Sequence, residues 1–244
     1  MSRQFRPRLI PTLATLVAFV IPVGLGTWQV QRLHWKTDLL ARIEAGMTAD
    51  PVALPALVAD PAAWDYRRAF VTGQFMHEKE ALIGPRLYPG PDGRMLPGLH
   101  VLTPLVRSDG GGIVLVDRGW IPLDKRDPAS RAAGELAGEV TITGILRAPE
   151  PRAWMQPEND PARNDWYWFD LPALARFAAV PGLAPLVLQA DATPNPGGYP
   201  IGGRTILKVK NDHLSYALTW YGLALTLVGV YLAASFRRRN DPTA

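Results

Sequence analysis

The chain has 244 residues, 48% of them apolar and 20% charged, with 24 Pro, 22 Gly and a formal net charge of +4. This composition belongs to a folded chain rich in turns and not to a disordered one, and the length suits one medium domain with additional segments. The sequence contains no Cys, which excludes disulfides, thiolate metal sites and cysteine nucleophiles.

The basic excess is local. Arg3, Arg6 and Arg8 contribute +3 ahead of the first apolar run, and Arg237, Arg238, Arg239 and Asp241 contribute +2 after the last one. The segment 31–214 holds 20 Lys/Arg against 21 Asp/Glu. Charge gathered in two short tails beside apolar runs is a membrane-orientation pattern, so no nucleic-acid partner is expected.

In chain order, residues 1–8 read as a cytoplasmic tail and residues 9–30, "LIPTLATLVAFVIPVGLGTWQV", as a first transmembrane helix, 22 residues without a charge. A bilayer core about 30 Å thick needs roughly 20 helical residues. A cleaved signal peptide is the alternative, but the apolar stretch is too long and lacks a small-x-small site. Residues 31–65 read as a continuation of that helix, with Gly46 a plausible stop, followed by the Pro-rich connector "MTADPVALPALVADPAAW".

Residues 66–210 read as a β-rich domain. The expected β-type runs are 66–75, 80–86, 99–106, 112–121, 140–147, 166–170 and 185–190. "RSDGG" forms a hairpin turn, "YPGPDGRMLPG" and "TPNPGGYPIGG" form loops, and "LPALARFAAV" forms a short helix with Asp170 as N-cap and Pro172 in its first turn. Residues 211–236 read as the second transmembrane helix with its entry, including an uncharged run of 22 at 215–236, and 237–244 as a second cytoplasmic tail. The expected fold is thus a membrane protein: two transmembrane α-helices flanking a mainly antiparallel β (α+β, barrel-like) periplasmic domain. Arginine-flanked termini put both tails in the cytoplasm. Without an Arg/Ser-rich transit segment, the expected location is the bacterial inner membrane.

Enzyme motifs are sparse. There is no G-x-S-x-G, no H-E-x-x-H and no Gly-rich strand-to-helix loop. "HEKE" brings His77, Glu78 and Glu80 close in sequence, but neighbours on an extended chain point to opposite faces, so a solvated strand end is expected there and no metal site. "DRGWIPLDKRDP", residues 117–128, is denser. Asp117, Arg118 and Trp120 are expected either to lock a strand end through an arginine network or to form a partner-docking edge.

Two of the four histidines flank the apolar runs: His34 lies four residues beyond the first and His213 two residues before the second. On a helix, His213, Tyr216, Ala217, Trp220 and Ala224 form one stripe. An interfacial aromatic belt explains Tyr216 and Trp220. The histidine on the same stripe fits either a simple interfacial hydrogen bond or a porphyrin or metal ligand.

Six segments match one family in order: "GTWQVQRLHWK" (26–36), "VTGQF" (71–75), "IGPR" (83–86), "LTPLV" (102–106), "VDRGWIP" (116–122) and "NDHLSYALTWYGLAL" (211–225). Together they resemble the Surfeit-locus cytochrome c oxidase assembly proteins, across nearly the whole chain. The chain departs from the family pattern at Asp212, and at Asp117 where the family commonly has Asn, so no neutral amide is available at that position. The resemblance implies an accessory factor for haem–copper oxidase biogenesis, without turnover chemistry, acting when haem a enters the catalytic subunit. It implies haem a as a transient cargo held by the histidine matching His213; His34, placed at the same membrane depth by an antiparallel helix pair, is a weaker candidate. The oxidase catalytic subunit, the haem a synthesis machinery and the lipid bilayer are the implied partners. A membrane-edge imidazole is a suitable axial ligand. Tyr216 and Trp220 would cover the macrocycle, and Arg32, Lys208 or Lys210 would pair with propionates. Copper delivery fits less well, because there is neither Cys nor a Met-rich tract. Two rival readings are a membrane-anchored periplasmic solute-binding or sensor module and a haem-modifying membrane enzyme.

Overall fold

The computed structural model describes residues 3–5, 7–90, 92–203, 205 and 211–238. In chain order the elements are β1 (Arg3–Phe5), α1 (Leu9–Thr48), β2 (Val52–Ala53), β3 (Arg68–Phe75), β4 (Ala81–Pro89), β5 (Met95–Arg107), β6 (Ile113–Pro122), β7 (Glu139–Arg147), α2 (Leu171–Phe177), β8 (Val187–Ala190), α3 (His213–Ser235) and β9 (Phe236–Arg238), with 3-10 turns between several of them. They divide into two compact units: Met1–Arg42 with Lys208–Ala244, and Ile43–Leu207.

The first unit is a pair of antiparallel helices closed at the chain ends by β1 and β9, where Phe5 pairs with Phe236 and their rings lie 5.5 Å apart. Both helices contain a stretch long and apolar enough to cross a bilayer. Their shared face is narrow. On α1 it carries Pro22, Gly26 and Gln29, at one- and two-turn spacing, and on α3 it carries Ala217 and Ala224. These small side chains let the backbones approach. A Cβ at Gly26 would stand 2.8 Å from the Tyr221 ring, the close contact that small residues permit between apolar helices. Two hydroxyl pairs tie the helices together, Thr12 with Tyr231 at 2.7 Å and Thr27 with Tyr221 at 3.1 Å.

α1 runs past the expected stop at Gly46 and ends at Thr48, whose hydroxyl returns to the Glu44 carbonyl. Gly46 serves instead as a contact point, since a Cβ there would lie 3.0 Å from the Tyr66 carbonyl oxygen.

The second unit is a seven-stranded mixed sheet in the order β2-β3-β7-β8-β6-β5-β4, with β3 also pairing with β5. That extra pairing returns the ladder on itself through β3, β7, β8, β6 and β5. The pairs are antiparallel except for β2–β3 and β6–β8. All five strands of the circuit feed one core: Ala69 and Val71 from β3, Leu105 from β5, Val114 and Val116 from β6, Leu146 from β7 and Leu188 from β8. A second core on the opposite face of β6 gathers Leu115 with Ile83, Leu102, Trp166, Leu174 and Val187. β6 is therefore buried on both faces, which is why "IVLVDRGWI" shows no clean polar alternation. Each fully buried side chain of this size contributes roughly 1.5–3 kcal/mol.

Within the β unit, expected and observed elements differ. The Pro-rich connector supplies β2, which pairs in parallel with Ala69 and Phe70 of β3. The 88–98 loop shrinks to a hairpin tip because β4 runs to Pro89 and β5 starts at Met95. Proline is tolerated there because β4 is an edge strand. Residues 166–170 form no strand, and only Trp166 bridges to Ile83. α2 begins as read, with Asp170 accepting from the Ala173 amide at 3.0 Å.

Candidate functional site

The end of the helix pair away from the chain termini presents His213 as the first residue of α3. Its Nδ1 lies 2.7 Å from Oε1 of Gln29 on α1. An amide oxygen only accepts, so the ring proton sits on Nδ1 and the lone pair on Nε2. Among the described residues, Nε2 has no hydrogen-bond partner. Two residues earlier, Oδ1 of Asn211 is buried and also unpartnered.

The predicted site residues separate at this point. His213, Ala217 and Ala224 lie along the face that meets α1, while Trp220 is half-buried beside it. The small residues of the stripe are covered by the other helix and so offer no open slot to a flat ligand. Tyr216 is 56% exposed. His34 is exposed as well. It lies five residues beyond Gln29, about 7.5 Å along α1 and about 140° around it, so it does not share the face that meets His213. Arg32 lies 4.0 Å above the Trp35 ring in a cation–π contact. Lys208 and Lys210 fall outside the described residues.

The β unit holds a second constellation at the end of β6. Asp117, Arg118 and Trp120 are all buried, and β6 is flanked by β5 and β8, so this is no exposed edge. Arg118 donates to the Gly134 carbonyl and, at 3.3 Å, to Nδ1 of His77, and it lies over the Phe75 ring. Burial, and then the positive charge of Arg131, push its guanidinium down to about 10, which still leaves it charged at neutral pH. Arg131 itself forms a buried ion pair with Glu80. The "HEKE" segment, expected as a solvated strand end, is thus tied into the interior through His77 and Glu80. Trp120 stacks on Tyr88 at 4.5 Å and donates to the Arg86 carbonyl.

Asp117 pairs with a residue that motif reading passed over, accepting from Nδ1 of His100 at 3.0 Å. It also accepts from the Gly119 amide at 3.1 Å. Burial lowers Arg86, with the nearby Asp117 charge acting in the opposite direction. Gln29 was passed over too. Its one sequence signal is an amide inside an apolar run, three residues after Gly26. His100 had none, because its partner lies across a strand pairing with an irregular register between His100 and Leu102.

These residues lie within the span matched by a model of the SURF1 family, residues 16–225. A SURF1-like protein of Monosiga brevicollis is 41% identical over 233 residues, covering 93% of this chain and 87% of that protein. Surfeit locus protein 1 of Mus musculus is 41% identical over 224 residues, covering 88% and 72% of the two chains. Its Homo sapiens counterpart is 40% identical over 221 residues, covering 85% and 73%. With a family match across most of its length and relatives this similar over nearly all of it, the chain belongs to the SURF1 family.

Proposed function

We propose that this chain is the cytochrome c oxidase assembly factor its family membership implies, and that it assists by holding haem a transiently at His213 before delivery to the oxidase catalytic subunit. SURF1 family proteins are assembly factors of this oxidase. The observation that carries the haem reading is the His213 ring, bound at Nδ1 and, among the described residues, without a hydrogen-bond partner at Nε2.

The residues present suit a haem cargo. Haem a supplies an iron that accepts an imidazole nitrogen and a porphyrin with apolar and carboxylate substituents. Nε2 of His213 provides the nitrogen. Tyr216, exposed one turn along α3, and half-buried Trp220 provide aromatic cover. Arg32, which lies over the Trp35 ring, would provide a cation for a propionate. His34 would serve only a ligand lying on the other face of α1. The chain acts by binding and presenting, with no turnover chemistry. The haem a synthesis machinery is the source that would load it.

The setting is a bacterial inner membrane, with both tails cytoplasmic and the β unit in the periplasm. This placement is supported by the two apolar helices, whose surfaces stay largely uncovered, and by the arginines beside both chain ends. A periplasm-active reporter fused after residue 110 should be active and one fused at 244 inactive; the reverse pattern would refute the topology.

The direct test is His213→Ala in membranes that make haem a. The variant should insert normally, lose the haem absorbance that purifies with the chain, and lower the haem a content of assembled oxidase. An unchanged spectrum at normal abundance would reject the haem role. So would depletion of the protein itself, because His213 would then be a packing residue.

A further inference from the structure

We infer that Gln29 is the positioning residue for His213, setting its tautomer from the opposite helix so that Nε2 is held bare for a metal-centred ligand. The inference rests on the haem reading above and adds a residue of α1 to a site otherwise built on α3.

Gln29 is unusual for where it stands. It is 9% exposed, on the face of α1 that also carries Pro22 and Gly26. A buried amide in an apolar helix pair is destabilising unless its polar atoms are matched. An apolar residue would pack that face without this requirement, so the amide has to be explained by what it contacts. Its Oε1 contacts His213 Nδ1 at 2.7 Å, across 184 positions of sequence.

The chemistry of that contact is specific. Imidazole ligands to metals commonly donate their second ring N–H to a carbonyl or carboxylate, which fixes ring orientation and directs the lone pair at the metal. The Gln29 carbonyl provides this acceptor without adding a charge to the apolar pair. A ring free of such a partner would divide between tautomers, and part of the population would present N–H where the ligating lone pair belongs. Because the acceptor belongs to α1, ring orientation also depends on the helices remaining packed at Gly26 and Tyr221.

The test uses the full chain in detergent with two readouts. The first is 15N NMR of histidine-labelled protein without haem, which distinguishes Nδ1–H from Nε2–H. The second is titration with ferric protoporphyrin IX followed by its Soret band. Wild type should show His213 as the Nδ1–H form. Gln29→Leu should lose that form and bind the porphyrin about 10- to 100-fold more weakly, while Gln29→Glu, which keeps an acceptor, should retain both. Should Gln29→Leu fail to accumulate, Gln29→Asn keeps the amide but falls a methylene short and should show the same losses. If His213→Ala loses porphyrin binding while the Gln29 variants keep wild-type affinity, the positioning role is overturned and the haem reading stands. If His213→Ala binds as wild type does, the haem reading itself fails. An Nε2–H ring in the wild type would overturn the positioning role directly.

Discussion

Arg118 donates through Nη1 to Nδ1 of His77 at 3.3 Å, while Nε2 of the same ring donates to the Leu136 carbonyl at 3.0 Å. The imidazole is thereby used at both nitrogens, and the guanidinium links β6 to the segment after β3. This arrangement locks a buried strand end. Arg118→Ala strips the Gly134 carbonyl and His77 of their donor and removes the contact with Phe75. The expected loss is on the order of 3 kcal/mol, as for hydrogen bonds from a charged group, seen as a lower urea midpoint and lower abundance. Arg118→Lys should fall between, since an ammonium cannot reproduce the fork. Normal stability with lost co-purification of oxidase subunits would instead make this a docking residue.

Gly119 interrupts the same motif for a steric reason. Its φ is +114°, and a Cβ would stand 2.1 Å from the Ile201 carbonyl oxygen. That carbonyl accepts from the Trp120 amide, and the Ile201 amide donates in return to the Trp120 carbonyl. Gly119→Ala should therefore break this bridge and cost at least about 1–3 kcal/mol in backbone strain alone. A melting temperature within a degree of wild type would contradict this packing.

Asp109 gives an acid-side pH dependence. The hydrogen bond from Arg107, and then the Gly111 amide, hold its carboxyl below the ordinary range. In the unfolded chain it titrates at about 3.9, so the unfolded state binds more protons between the two values. The stabilisation is present in full above the unfolded value and disappears as pH falls through the folded one. With the side chain half-exposed, solvent screening keeps the effect below about 1 kcal/mol. Asp109→Asn should flatten the fall in melting temperature below about pH 4; an unchanged slope would exclude this contribution.

The helix pair makes a quantitative prediction through Thr27 and Tyr221, whose hydroxyls lie 3.1 Å apart. Each helix also offers carbonyls as competing partners, and Thr27 already bonds to the Val23 carbonyl at 2.9 Å. A double-mutant cycle with Thr27→Val and Tyr221→Phe should therefore give a modest coupling of about 0.6 kcal/mol in detergent unfolding. A coupling of zero would mean that the hydroxyls do not meet. Gly26→Leu, which drives a side chain into the Tyr221 ring, should destabilise the pair far more.

What the sequence alone determined is what local chemistry determines. Two uncharged runs of membrane length, arginines beside them, an Asp170 cap and β runs between turn residues depend on composition and spacing within a few residues. The SURF1 resemblance was legible for a related reason, since blocks such as "VDRGWIP" and "NDHLSYALTWYGLAL" are contiguous. Tertiary structure decided everything that joins distant positions. No periodicity in β3 or β5 announces that they pair and return the sheet on itself. Gly46 reads as a stop until Tyr66 is seen against it, because a glycine in a helix serves equally to end it or to admit a neighbour. His34 and His213 both flank an apolar run, His34 as the weaker candidate, and helical rotation turns His34 away from the shared face. Above all, His213 found its partner 184 residues away in Gln29. Only the packing of two antiparallel helices, which sets depth and rotation together, could choose that amide.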